Sequence, residues 1–252
     1  LVKKINLNSL YGAILNPGCR FFDKRIGQST TLTGRTIVKH MSAEANKVIT
    51  GVYDHVGDAM IYGDTDSCYF SAYPMLKDDI ESGKIEWDTD KAITLYDQIC
   101  GAVDSTFVDM MAKSHHCPKS RADVIAAGRE IVAQSGLYIT KKRYAALVVD
   151  NEGFRTDVDG KPGKVKAMGL DLRRSDTPVF MQDFLKELLE MVLTDASQKE
   201  VLDRITEFRK EFEQRPGFEK GSPKRANKVG HYRRLEEKQG KANMPGHVRA
   251  SL

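Results

Sequence analysis

Cysteine is scarce in this chain of 252 residues: Cys19, Cys68, Cys100 and Cys117 stand far apart, with no Cys-x-x-Cys pair. That spacing argues against a disulfide framework and a structural zinc site, and suits a reducing compartment. The cluster His115-His116-Cys117 is the only conceivable exception for zinc, and it lacks the second ligand pair that zinc sites use. Long apolar runs are missing too, since none approaches the roughly 18 residues a membrane helix requires. There is no internal repeat, and only the short Gly/Lys/Pro stretch at 160–166 has the composition of a linker. The sequence opens on Leu1, with neither a basic leader and apolar core nor an Arg/Ser-rich transit peptide, a start expected of a cut chain.

What is present describes a soluble globular protein. Hydrophobic residues make up 40% and charged residues 29%, and the length allows one or two domains with a real core. The net charge is +4, unevenly spread. Residues 221–252 hold eight Lys and Arg, among them Lys224 and Arg225, against two Glu, so the rest of the chain is slightly acidic. Such a run is either a solvated face or a grip on phosphate.

Hydrophobic spacing organises the chain. Ile5, Leu7, Leu10, Ala13 and Ile14 recur at helical intervals until Asn16-Pro17-Gly18 stops them. A second helix is predicted to start near Ser29 to Thr33 and run to a Gly57 stop. Met60-Ile61-Tyr62 and Ser67-Cys68-Tyr69-Phe70 read as strands around a Gly63-Asp64-Thr65-Asp66 turn. Residues 89–112 are helical in pattern, and 137–150 read as one strand before an Asn151-Glu152-Gly153 turn. Amphipathic helices are expected at about 178–194 and 198–214, the second broken by Arg215-Pro216-Gly217. The likeliest boundary falls near residue 172.

Asp64 and Asp66 carry the sharpest chemical signal. Two carboxylates one residue apart on a tight turn can converge on hard cations, and a pair of Mg²⁺ ions serves phosphoryl transfer in this way. Gly and Asp are also ordinary turn residues, so a bare Asp-x-Asp is consistent with a simple turn. The first helix adds a second signal: Lys4, Asn8 and Tyr11 recur at i, i+4 and i+7 and share one face, with Gly12 beside them. Lys can neutralise a triphosphate, Asn can hydrogen-bond it, Tyr can abut a base, and Gly lets nucleic acid approach the backbone. Alone, the segment is equally an amphipathic helix with a polar stripe.

Taken together, Lys4…Asn8-Ser9-Leu10-Tyr11-Gly12 and, some fifty residues on, Tyr62-Gly63-Asp64-Thr65-Asp66-Ser67 resemble two signature motifs of family B DNA polymerases, of the T-even bacteriophage type, in their usual order. Thr140-Lys141-Lys142-Arg143-Tyr144 resembles that family's basic-aromatic strand. Met168-Gly169-Leu170 with Ser175-Asp176-Thr177-Pro178 resembles its palm-to-thumb junction.

The resemblance implies an α+β fold: an antiparallel palm sheet with packed helices, a truncated fingers helix and a helical partial thumb. It implies an end of fingers at 1–28, palm at 29–172 and partial thumb at 173–252. Asp64 and Asp66 would be catalytic carboxylates holding Mg²⁺, Asp66 the more direct ligand. Lys4 and Asn8 would contact the triphosphate, and Tyr11 and Gly12 would border the nascent base pair. Lys142, Arg143 and Tyr144 would lie along primer-template DNA, where minor-groove acceptors are alike for every base pair. Strand alternation would put Lys142 and Tyr144 on one face and Lys141 and Arg143 on the other. Glu130 falls where the family often has a further acidic residue, or else forms a surface salt bridge. Lys224, Arg225 and the basic tail would hold duplex phosphates.

One family motif has no match here: an Asp closely followed by Ser-Leu-Tyr-Pro, which supplies another metal-ligand aspartate. The expected activity is DNA-directed DNA polymerisation from deoxynucleoside triphosphates by a partial chain or split subunit. A second polymerase chain would complete the two-ion Mg²⁺ site, and the isolated chain would have little activity. The localisation expected of a viral enzyme is the host cytoplasm. Two rivals stand beside this reading: a non-catalytic DNA-binding remnant of a polymerase, and a reverse-transcriptase-like palm, whose aspartates would be adjacent.

Overall fold

A computed structural model describes residues 2–223, 228–240 and 245–249. The element order is α1 (Val2–Leu15), α2 (Lys24–Thr50), β1 (Met60–Asp64), β2 (Ser67–Phe70), α3 (Tyr73–Glu81), α4 (Thr89–Asp104), α5 (Phe107–His115), β3 (Ile131–Thr140), β4 (Arg143–Asn151), β5 (Phe154–Arg155) and β6 (Lys164–Met168). Then come α6 (Val179–Leu193), α7 (Gln198–Gln214), α8 (Gly217–Lys220), α9 (Val229–Gln239) and α10 (Gly246–Arg249). Helices packed with small antiparallel sheets make this the expected α+β class. Among the described residues no helix is long and apolar enough to cross a membrane.

The chain forms two compact units, Leu1–Gln134 with Val148–Lys164, and Ser135–Leu147 with Val165–Leu252. In the first, α1 packs on α2, and α2 packs on α4 and β2. Ala45, Ile49, Ile99, Val103 and Phe107 form its core, with Met60 and Phe70 of the β1–β2 hairpin packed against it. A buried amide ties helix to hairpin. Asn46 Nδ2 donates to the Val52 carbonyl at 2.8 Å, and Asn46 Oδ1 accepts the Ala59 N–H at 3.1 Å, immediately before β1. A buried amide fully satisfied in this way specifies one geometry, because leaving it unpaired costs about 1–3 kcal/mol.

In the second unit Ala145, Leu147, Ala167, Leu170 and Leu193 form the core. Phe184 and Phe208 stack at 3.6 Å where α6 meets α7. Ser197 opens α7 with a reciprocal capping box, its Oγ accepting the Glu200 N–H while the Glu200 carboxylate accepts the Ser197 N–H.

Several sequence expectations shift. The second helix begins at Lys24 because Asp23, extended at φ −146°, accepts the Arg25 N–H at 2.8 Å as an N-cap. It stops at Thr50 because Gly51 takes φ 81° and returns its N–H to the Lys47 carbonyl at 2.8 Å. The helical pattern at 89–112 is two helices, parted where Ser105 and Thr106 hydroxyls bond back to the Ala102 and Val103 carbonyls. The single strand predicted at 137–150 is a hairpin, β3 and β4, joined at Lys141-Lys142 with Lys142 at φ 61°. The stretch 160–166 read as a linker contains the start of β6, which pairs with β4. Helices α6 and α7 and the break at Arg215 to Gly217 stand as expected.

Candidate nucleotidyl-transfer site

The β1–β2 hairpin closes on the pair Asp64↔Ser67, so Asp64 ends a strand and Thr65-Asp66 make the turn. Thr65 adopts φ 49°, left-handed backbone that a β-branched residue rarely takes, and such strain gathers at functional turns. Asp64 is half-buried and Asp66 exposed. Thr65 Oγ1 donates to Asp64 Oδ1 at 3.0 Å, and Ser67 Oγ donates to the Asp64 carbonyl at 3.2 Å. The Asp66 carboxylate accepts no hydrogen bond from the described residues. Beneath the turn, Tyr62 and Tyr69 face each other at 5.8 Å. Burial pushes the Cys68 thiol up to about 11, against the Ser42 contact that lowers it, so this thiol stays protonated and inert.

These carboxylates fit magnesium rather than a closed protein cage. Among the described residues no three His, Cys, Asp or Glu side chains gather where a metal could sit. Two hard oxygen donors at an accessible turn suit an ion that keeps water and substrate phosphate in its remaining positions.

Helix α1 presents Lys4 and Asn8 to solvent, with Tyr11 half-buried and Gly12 exposed. None of its residues is buried. A Cβ on Gly12 would meet nothing within 4 Å, so packing among the described residues does not require glycine there.

In the second unit Lys142 and Arg143 are exposed at the head of the β3–β4 hairpin. Tyr144 is buried to 3% and stacks on Tyr138 at 5.6 Å with the rings 19° apart. Burial, with Tyr144 adding to it, pushes the Tyr138 hydroxyl up to about 12. Because Lys141 and Lys142 occupy the turn, strand alternation begins only at Arg143, which corrects the expected pairing of Lys142 with Tyr144 on one strand face. Gly169 sits against this turn at φ 65°, where a Cβ would collide with the Lys142 carbonyl oxygen.

Glu130 is exposed, next to an anchor that sequence reasoning passed over. Arg129 Nε donates to Asp97 Oδ1 of α4 at 2.6 Å, and Arg129 Nη1 pairs with the buried Asp150 of β4. Asp150 Oδ1 also accepts the Gly153 N–H at 3.0 Å. The signal for this anchor was present: Asp150 is an acid at the end of the apolar run Ala145 to Val149, and a buried carboxylate demands a partner. His115, His116 and Cys117 form no metal group among the described residues. Lys224 and Arg225 lie outside the described residues. Later in the basic segment, Arg233 and Lys238 stand exposed on α9.

The sequence model of DNA polymerase family B matches residues 1–114 and 119–225. The chain is 31% identical over 203 residues to the DNA-directed DNA polymerase of Escherichia phage RB69, covering 77% of this chain and 22% of that protein. Against the DNA-directed DNA polymerase of Enterobacteria phage T4 it is 26% identical over 244 residues, 92% of this chain and 26% of the relative. A DNA polymerase alpha catalytic subunit from Arabidopsis thaliana is 27% identical over 203 residues, 80% and 11% of the two chains. The chain thus spans about a quarter of the length of its phage relatives.

Proposed function

The chain belongs to DNA polymerase family B, and on that premise we propose that it forms part of a DNA-directed DNA polymerase acting in viral DNA replication. It would end the fingers at 1–28, build the palm at 29–172 and start the thumb at 173–252. The observation that carries the reading is the β1–β2 hairpin, which sets Asp64 and Asp66 at one accessible turn. In the proposed reaction a primer 3′-hydroxyl attacks the α-phosphate of a deoxynucleoside triphosphate and pyrophosphate leaves. Magnesium bound there would supply the positive charge that lowers the hydroxyl's pKa and steadies the leaving oxygen.

The chain's own residues orient the reactants. Asp64, fixed by the Thr65 hydroxyl, and Asp66, open to solvent, hold the hard-cation position. Lys4 and Asn8 take the triphosphate as a point charge and a hydrogen-bonding group. Tyr11 and Gly12 border the new base pair. Lys142 and Arg143 reach primer-template DNA, while Tyr144, stacked on Tyr138, supports their turn from inside. The basic tail with Lys224 and Arg225 would grip duplex phosphates. Two carboxylates are one too few for the family's two-ion site, so a carboxylate outside residues 1–252 would complete it. The host cytoplasm follows as the place of action for a viral enzyme.

Primer extension with Mg²⁺ and deoxynucleotides tests this, using the chain alone and mixed with a separately made palm half that supplies the missing aspartate. Extension is expected only in the mixture, and Asp66→Ala should lower it on the order of 10²–10³-fold or more. Robust extension by the chain alone would overturn the split-site reading. A silent mixture that still binds duplex DNA in a salt-sensitive way would leave a non-catalytic binding remnant.

A further inference from the structure

The hairpin that carries Asp64 and Asp66 is a sheet of two strands among the described residues, and two strands alone are marginally stable. Where its turn points is therefore set by whatever holds its base. Met60 and Phe70 lay it on the core, but apolar contact is non-directional and fixes depth better than aim. The loop that feeds β1, residues 51–58, contains no buried residue.

Asn46 supplies a directional hold. It is 1% exposed on α2, on the helix face that also buries Ser42, Ala43, Ala45 and Ile49. Its Nδ2 donates to the Thr50 hydroxyl at 3.1 Å as well as to the Val52 carbonyl, so both amide protons are used. Its Oδ1 accepts from Ala59, whose N–H has no access to water because the residue is wholly buried. The Ala59 carbonyl in turn accepts the Ser71 N–H at 2.8 Å. Through Ala59, one side chain of α2 thus reaches both legs of the hairpin at its open end. Gly57 is closed against the same amide, since a Cβ there would lie 2.2 Å from Asn46 Nδ2.

Leverage carries this hold to the carboxylates. Beyond Ala59, β1 runs five residues to Asp64, about 16 Å at roughly 3.3 Å per residue. A tilt of about 5° at that base moves the turn by roughly 1.4 Å, and a misplacement on the order of 1 Å costs about 10²-fold in rate. An apolar side chain at position 46 would fill the volume and leave the Ala59 N–H without an acceptor.

We propose that Asn46 is a positioning residue for the Asp64–Asp66 turn: its amide fixes the base of the β1–β2 hairpin on α2 and thereby sets where the two carboxylates stand. The consequence for catalysis rests on the polymerase reading, whereas the anchoring rests on geometry alone.

Two measurements test the two parts separately. Asn46→Ala removes the anchor, and Gly57→Ala pushes the same amide aside with a methyl group while leaving Asn46 in place. Val103→Ala, which hollows the same core and removes no polar contact, is the control for lost stability. Hydrogen exchange on the whole chain, read by NMR, is expected to show the Ser71 and β1–β2 amides exchanging at least about tenfold faster in Asn46→Ala and Gly57→Ala than in the control. In the reconstituted extension assay both variants should lose kcat on the order of 10²-fold while KM for the deoxynucleotide stays within about twofold, a split that general loss of stability does not produce. Hairpin exchange no faster than in Val103→Ala overturns the anchoring, and kcat no lower than in Val103→Ala overturns the positioning role. Circular dichroism checks folding, and if Asn46→Ala does not fold, Gly57→Ala carries both measurements. A parent mixture that extends no primer would retire the polymerase reading and the catalytic consequence with it, while hydrogen exchange still decides the anchor.

Discussion

Gly12 sits inside α1 with open space around its Cα, although glycine in a helix interior is less stable than alanine by about 1 kcal/mol. Packing among the described residues gives no reason for that cost, whereas close approach of a nascent base pair would. Gly12→Ala is therefore expected to raise the chain's unfolding free energy by about 0.5–1 kcal/mol in urea, while weakening nucleotide use in the reconstituted enzyme. A gain in stability with unchanged kinetics would remove Gly12 from the site.

His40 illustrates a titration that can be worked out from geometry. The Thr106 hydroxyl donates to the Val103 carbonyl at 2.7 Å, so its oxygen accepts from His40 Nε2 at 2.9 Å. His40 Nδ1 is then left to accept the Tyr53 hydroxyl at 3.0 Å. Burial lowers the His40 pKa, with Glu44 opposing and Lys47 adding to the effect. The fold thus favours neutral imidazole. Its stabilising contribution is complete above the unfolded value of about 6.5 and is lost as pH falls below that toward the folded value. Urea midpoints measured between about pH 7.5 and 5.5 should fall for the parent chain, and fall less for His40→Gln.

At the scale of elements, the hairpin of β3 and β4 shows where pattern reading failed. Lys141 and Lys142 carry no Gly, Asn or Pro to mark a turn, so one long strand was the natural expectation from an aromatic and β-branched run. The turn is held from outside it, by Gly169, which comes from after β6 and lies against the Lys142 carbonyl. Gly169→Ala introduces both a left-handed alanine and a collision with backbone, and should cost at least about 2 kcal/mol in urea unfolding. A near-neutral result would mean that the Lys142 turn shifts freely. The β1–β2 hairpin was legible because Gly63 to Asp66 are turn residues between two apolar runs, and α6 and α7 because their periodicity is strong and Ser197 and Pro216 punctuate α7. The boundaries of α2 were misplaced because its cap is the acid Asp23, buried among other charges in the sequence rather than set off by a hydroxyl run.

Across the whole molecule, charge is segregated along the chain, with residues 221–252 strongly basic and the remainder slightly acidic. If that basic segment holds duplex phosphates, affinity must fall steeply with salt. Removing exposed Arg233 and Lys238 of α9 together should weaken duplex binding and reduce its log–log salt slope by roughly 1.8. An unchanged slope would show those cations to be a solvated face.

The sequence by itself determined the family, the α+β class and the candidate chemistry, because motif letters in order and short-range periodicity are local properties that survive without a fold. Asp64, Asp66, Lys4, Asn8, Tyr11 and Gly12 could all be named on that basis. Only the tertiary structure decided that Tyr144 is buried on Tyr138, that Asp150 is neutralised by Arg129, that Asn46 anchors the hairpin and that Phe21 and Phe22 stand bare. Each of these depends on which distant residues share a neighbourhood or on which surfaces stay uncovered. Burial and pairing are properties of the packed chain, and no window of sequence contains both partners.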